Sequence, residues 1–235
     1  MVTETEIIHG IRKAWSYAEA MGIAEVFSDP SPLKASAEFV GIARSTSATY
    51  EEVYLLGLAG GQYNFILADY AYLQFSGRDE DSLRYAYYPN PFLGTSREAV
   101  SSLTELRTYV EEGIIDMEEF LHKVSEIRYT QHPPLVRYEN SSEQHRRDPR
   151  HPCSHFHFGH HAENRWPVRR VLTPGTFALL VFKYFYFTNW LKGELVAGSV
   201  GQISLDQALI SSKMDCRILP QELFSVEAEA QFSFG

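Results

Sequence analysis

From Thr173 to Trp190 the chain reads Thr-Pro-Gly-Thr-Phe-Ala-Leu-Leu-Val-Phe-Lys-Tyr-Phe-Tyr-Phe-Thr-Asn-Trp, apolar on almost every side of a helix. No other segment restricts the fold as much. Thr173 and Pro174 supply an N-cap and an N1 proline, so a helix is expected to start there and reach Trp190. A helix without a polar face has to be covered all round, by a sheet on one side and by other helices elsewhere. The apolar run Phe177 to Leu191 carries Lys183 and is short of the roughly 20 residues a bilayer span needs, so no membrane is implied. The expected architecture is therefore α+β: an antiparallel sheet with packed helices and a central buried helix in the C-terminal half.

The remaining chain supplies candidates for those layers. Ile7, Ile8, Ile11, Ala14, Trp15, Ala18 and Met21 line one helical face behind the capping box Thr3-x-x-Glu6, and Gly22 ends that helix. Short apolar runs at Phe39 to Ala43, Tyr50 to Leu58, Gln62 to Ala68, Tyr70 to Ser76 and Leu83 to Tyr88 read as strands of a meander. Helices are expected over Ser96 to Glu112, from Asp116 to Ile127 and, more weakly, over Leu205 to Met214. Strands are expected at Leu135 to Glu139, Cys153 to Phe158 and, from strict alternation, Phe224 to Phe234. With 44% hydrophobic residues the 235-residue chain can bury a core as one domain, 1–235, whose nearest approach to a boundary is Tyr129 to Pro134. Two cysteines, Cys153 and Cys216, show no redox or zinc-ribbon spacing, and the start Met-Val-Thr-Glu-Thr-Glu lacks a secretory pattern; both suit a cytoplasmic protein.

Charge singles out one segment. The chain carries a net −9, which argues against generic coating of nucleic acid. Residues 128 to 170 nevertheless hold eight Arg, no Lys and four acids, a local +4 that leaves −13 for the rest. Six of the nine histidines fall between His145 and His161 in the same stretch. Arginine beside histidine suits contacts to phosphate or carboxylate, and residues 129–191 are the expected functional segment.

Strand periodicity sorts the histidines. On a strand over Cys153 to Phe158, His155 and His157 share one face, while Ser154, Phe156 and Phe158 take the other. Arg137 and Glu139 likewise share a face of the neighbouring strand, although register decides whether that face meets the histidines. Three functions compete for the pair. His155 and His157 could act as acid and base in phosphodiester cleavage, with Arg137 and Arg147 or Arg165 as anion clamps and His151 as a further anion-binding group; RNA could supply its own 2′-hydroxyl nucleophile. They could instead ligate a divalent metal with a third ligand from His151, His160, His161 or Glu163. They could also simply recognise an anionic ligand or partner. An acid–base pair requires both rings exposed in a concave pocket with an arginine in reach. A Cys153–His155 nucleophile is conceivable, and Lys183 could reach the site from its helix. Gly57 to Gly61 forms no phosphate-cradling motif, so no cofactor is assigned. His9, His122 and His132 are isolated, and no function is read for them.

The segment Arg137-Tyr138, His151-Pro152-Cys153-Ser154-His155-Phe156-His157-Phe158-Gly159, Pro167-Val168, Leu172-Thr173-Pro174-Gly175-Thr176-Phe177 and Phe185-Tyr186 resembles a bacterial domain-of-unknown-function family. Its order of an Arg-Tyr strand, a His-Pro loop, a His-x-His strand and a Pro-led helix is also similar to small toxins of the TumE type. That second resemblance implies a toxin-like or antiphage role on nucleic acid, such as RNA cleavage. The chain departs from it in about 130 additional N-terminal residues and in its expected C-terminal strand. The alternative expectation is a non-catalytic binding or assembly subunit of a bacterial defence complex, whose acidic surface meets a basic protein partner.

Overall fold

Seven short strands pair in strict chain order into one antiparallel sheet, β1-β2-β3-β4-β5-β6-β7, in a computed structural model that describes residues 3–79, 81–92, 97–126, 133–148, 150–161, 163–199 and 203–232. The strands are β1 (Ala24–Phe27), β2 (Phe65–Leu67), β3 (Tyr72–Gly77), β4 (Leu83–Tyr88), β5 (Val136–Asn140), β6 (Ser154–Phe158) and β7 (Trp166–Pro167). Helix α1 (Glu4–Ala20) precedes them, and α2 (Ala37–Arg44), α3 (Tyr50–Ala59), α4 (Arg97–Glu111), α5 (Met117–Glu126) and α6 (Ser142–Arg147) lie between them. The chain continues with α7 (Pro174–Phe185), α8 (Phe187–Ser199), α9 (Leu205–Asp215) and α10 (Val226–Phe232). The expected α+β class with an antiparallel sheet is what the chain adopts. Residues 129–132 of the expected boundary lie outside the described residues.

The side-chain period of two divides the sheet into two unequal faces. Leu73, Phe75, Leu83, Tyr85, Tyr87, Val136 and Tyr138 point to the larger core, where α7 buries Phe177, Ala178, Leu179 and Phe182 at 0% exposure. Helices α1 and α9 flank α7 and complete its cover. Gly10 permits the crossing of α1 over α7, since a Cβ there would come within 2.8 Å of Pro174 Cδ. On the opposite face Tyr72, Ala86 and Tyr88 pack against Phe39 of α2 and Tyr50, Val53 and Tyr54 of α3. This second helical layer covers the sheet only as far as β4, and beyond it the face carries polar residues of β5 and β6.

Several local expectations are corrected. Phe39 to Ala43 and Tyr50 to Leu58 are helices rather than strands. Ser36 caps α2, and Thr49 with Glu52 forms a capping box on α3. The apolar positions 39, 42 and 43, and 50, 53, 54 and 57, already fit helical spacing, and the cap residues decide between the periods. The alternating stretch expected as a strand from Phe224 forms α10 over Val226–Phe232, with Ala228 N–H donating to Ser225 Oγ at 3.1 Å. Ala and Glu at alternate positions favour a helix intrinsically. The helix from Thr173 breaks at Tyr186 (φ −123°, ψ 40°), whose hydroxyl donates to Asp69 Oδ2 at 2.8 Å and lies 3.0 Å from Tyr87 Oη. Those two bonds hold the ring where a straight helix would carry it away. No helix among the described residues is long and apolar enough to cross a membrane.

Candidate functional site

Where the helical layer stops, the sheet forms the floor of a cleft of about 560 Å³. Ala43, Arg44 and Thr46 at the end of α2 make one wall, and the loop carrying His160, His161, Glu163 and Arg165 makes the other. The floor is set by register. Arg84 on β4 pairs with Glu139 on β5, which pairs with His155 on β6. In the next rung on the same face, Ala86 pairs with Arg137, and Arg137 pairs with His157. Directly opposed side chains stand about 5 Å apart at Cβ, so two guanidinium groups, a carboxylate and two imidazoles meet within two rungs.

The imidazoles form one unit. His155 is fully buried and His157 only 6% exposed, and their Nε2 atoms lie 3.0 Å apart. His155 Nδ1 is 3.0 Å from the Pro152 carbonyl oxygen, which can only accept, so Nδ1 carries the proton and Nε2 keeps its lone pair. His157 Nε2–H then donates to His155 Nε2. Burial, and next the neighbouring His157, lower the His155 pKa from 6.5 to about 4. Neither ring is exposed, contrary to the expected pair of exposed rings: His157 is buried at the border of the cleft, and His155 lies behind it.

The charges on the floor are unbalanced. Burial raises the Glu139 pKa, but Arg84 and Arg137 outweigh it and hold the carboxyl below its usual value. Arg84 Nε lies 3.6 Å from Glu139 Oε1. Arg137 makes no ion pair among the described residues, and its Nε is buried without a hydrogen-bond partner. Burial first and Arg84 second depress the Arg137 pKa, and the Glu139 carboxylate only partly offsets them. The cleft opens into a second hollow of about 830 Å³ that shares Arg44, Arg84, Arg137, Glu139 and Gln144 with it and adds Lys34 and Arg78 against the single further acid Glu4. A cationic groove thus crosses a chain of net charge −9.

Residues 34–230 match the family model described as an uncharacterized conserved protein, DUF2290. The chain belongs to the DUF2290 family. Neither the curated proteins nor the solved structures contain a match to this DUF2290 protein. The family assignment bears out an unknown-function family and carries neither the finer motif pattern nor the TumE likeness.

Of the residues singled out by sequence, Arg137, His151, His157 and Arg165 line the DUF2290 cleft, and His155 lies just beneath it. Arg147 does not join them: its side chain is 77% exposed and pairs with Glu143 one helical turn away on α6. Lys183 bonds Asp206 Oδ1 at 2.6 Å on the α7 side of the sheet, away from the site. Cys153 sits in the α7 core, where burial pushes its thiol pKa up, the reverse of an activated nucleophile. His160 and His161 both donate from Nε2 to the Ala48 carbonyl, at 2.9 and 2.8 Å, and so tie the loop wall to the helical wall. Sequence reasoning missed Arg84 and the part played by Glu139. Alternation along β4 and β5 places both on the right face, and only the pairing of the strands was out of reach.

Proposed function

We propose that the cleft binds a phosphodiester of nucleic acid, RNA in the first instance, and cleaves it. The observation that carries this reading is Arg137, a half-buried guanidinium directly across the ladder from His157, which has no direct ion pair among the described residues and whose buried Nε has no hydrogen-bond partner. A desolvated cation without an anion is costly unless a ligand supplies the charge, and a phosphate accepts the planar guanidinium fork in two parallel bonds. Arg84 and Arg165 stand ready for the remaining phosphate oxygens, and the continuing groove with Lys34, Arg44 and Arg78 suits a strand longer than one nucleotide.

The His155–His157 unit is the activating group. Nitrogens 3.0 Å apart share one proton and cannot stand on opposite sides of a phosphorus, where attacking and leaving oxygens lie. The unit therefore acts at one end of the reaction. It takes the proton of the attacking hydroxyl as the new P–O bond forms. The P–O bond to the leaving oxygen breaks, and that oxygen takes a proton from water. The arginines hold the charge that gathers on the phosphoryl oxygens.

The test is cleavage of labelled single-stranded RNA and DNA by wild type, His157→Gln and Arg137→Met. Wild type should cleave, His157→Gln should lose at least ~100-fold in rate, and Arg137→Met should lose binding. Wild type that neither binds nor cleaves any of these strands removes the reading. Growth arrest on expressing wild type but not His157→Gln would extend it to a toxin-like or antiphage effector. One observation favours the non-catalytic alternative: Phe187, Leu191 and Leu195 expose 55%, 49% and 77% of their surface at four-residue spacing on α8. That is a face suited to a protein partner. Equal inactivity of wild type and His157→Gln would leave the binding-subunit reading in place.

A further inference from the structure

We infer that Glu139, His155 and His157 form a binding site for one divalent transition-metal ion. One oxygen or nitrogen from each of the three lies within 4.8 Å of the others. Two imidazoles and a carboxylate are donors typical of Zn²⁺, Mn²⁺ or Fe²⁺ sites, and nitrogen donors disfavour Mg²⁺ and Ca²⁺.

Three features of the trio go beyond proximity. With metal–nitrogen bonds of about 2.05 Å, the 3.0 Å separation of the two Nε2 atoms subtends roughly 95° at the ion, within the range of five- or six-coordinate sites. The Pro152 carbonyl holds the His155 proton on Nδ1, leaving Nε2 as the ligating atom, the outer-shell arrangement found behind metal-bound histidines. Both rings are buried, and His157 borders the cleft, which gives an ion a route in and leaves open coordination positions facing it. The ion takes the place of the single proton that joins the two nitrogens, and His157 moves its own proton to Nδ1. Glu139 exchanges its loose 3.6 Å contact with Arg84 for a bond to the ion. Arg84 is thereby released toward the cleft.

The sequence pointed to His151, His160, His161 or Glu163 as third ligand. His160 and His161 are committed to the Ala48 carbonyl, and strand register supplies Glu139 instead. An ion here would lower the pKa of a bound water and add positive charge next to Arg137. That catalytic use rests on the phosphodiester reading above; binding of the ion does not.

The experiment uses tag-free full-length protein, stripped with a chelator and titrated with Zn²⁺, Mn²⁺ and Mg²⁺ by calorimetry, with metal content measured after dialysis. The expected result is one equivalent of Zn²⁺ or Mn²⁺, a Tm rise of about 5 °C or more at a hundredfold excess over Kd, and no comparable effect of Mg²⁺. Glu139→Gln and His157→Gln should each weaken binding at least tenfold, while His160→Gln keeps it. Circular dichroism establishes that the variants are folded, and Glu139→Gln, the least buried change, decides the matter if a histidine variant is not. Absence of stoichiometric Zn²⁺ or Mn²⁺ in wild type overturns the site, as does equal affinity in wild type and both ligand variants. Metal binding without cleavage of nucleic acid removes the phosphodiester reading and keeps the site. Cleavage at an undiminished rate by stripped, metal-free protein removes the catalytic use of the ion, and the titration alone then decides the site.

Discussion

Replacing Arg137 by methionine separates a residue kept for the fold from one kept for a ligand. Met is close to the arginine stem in length and apolar, so most packing of the stem is retained. What disappears is a guanidinium whose Nε is buried and unbonded and whose charge is opposed by Arg84. A buried donor without a partner costs about 1–3 kcal/mol. Against that stands the attraction to Glu139, which is shared with Arg84 and partly exposed to solvent, and so is worth at most about 1 kcal/mol. The balance predicts a variant as stable as wild type or more stable by about 1–2 kcal/mol in urea denaturation at low salt and without phosphate. Binding of single-stranded oligonucleotide, followed by fluorescence anisotropy, should move the other way. Loss of a bidentate phosphate contact worth about 3 kcal/mol weakens it roughly 100-fold and reduces the slope of log K against log salt by about 0.7. A variant destabilised by more than about 2 kcal/mol with unchanged oligonucleotide affinity would refute the reasoning, because Arg137 would then be a structural cation.

Other perturbations follow from the same geometry. Metal-free protein should lose stability as pH falls from about 6.5 to about 4: the unfolded chain protonates His155 at its ordinary pKa, the folded state holds that pKa down at about 4, and unfolding is favoured by roughly 3 kcal/mol at the bottom of the window. An unchanged pH profile in His155→Gln would contradict this assignment. Arg147→Ala should alter stability by no more than ~0.5 kcal/mol and leave oligonucleotide binding within about twofold, since its exposed pair with Glu143 lies outside the cleft. Phe177→Ala should cost about 3–5 kcal/mol by denaturant titration, because a fully buried ring that meets Phe75, Tyr85 and Phe156 leaves a cavity that cannot close.

The parts of the fold read correctly from sequence are those where periodicity had only one interpretation. The buried helix beginning at Thr173, the amphipathic α1 behind its capping box, and the sorting of His155 and His157 away from Phe156 and Phe158 belong to this group. The errors occur where a short apolar run satisfies two periods, as in α2 and α3, or where alternation is built from good helix formers, as in α10. Of the site, β5 and β6 were each legible by themselves, but the meeting of Arg137 with His157 and of Glu139 with His155 depends on register. Register is a long-range choice, fixed here by the need to turn Val136, Tyr138, Phe156 and Phe158 together toward α7. Arg84 was hidden for the same reason, one strand further away.

That dependence also explains why the site lies where it does. The demands of α7 fix the inward residues of β4, β5 and β6, and the period of two leaves Arg84, Arg137, Glu139, His155 and His157 no choice but the other face. Had α2 and α3 extended over that face, these groups would have been sealed in at great cost, since buried charges need partners. The helical layer instead ends at Ala43, Arg44 and Thr46, beside the charged rungs, and His160 and His161 bind the opposite wall to it through Ala48. Shortening that layer opens the cleft; the two histidine bonds set its width. Substituting both His160 and His161 by Phe should therefore leave the α7 core intact while loosening the wall. Each lost bond costs about 1 kcal/mol of stability, and the change should raise KM for any phosphate-bearing substrate more than it lowers kcat. A fall in kcat alone, with KM unchanged, would mean that these rings act on the reaction directly rather than through the shape of the cleft.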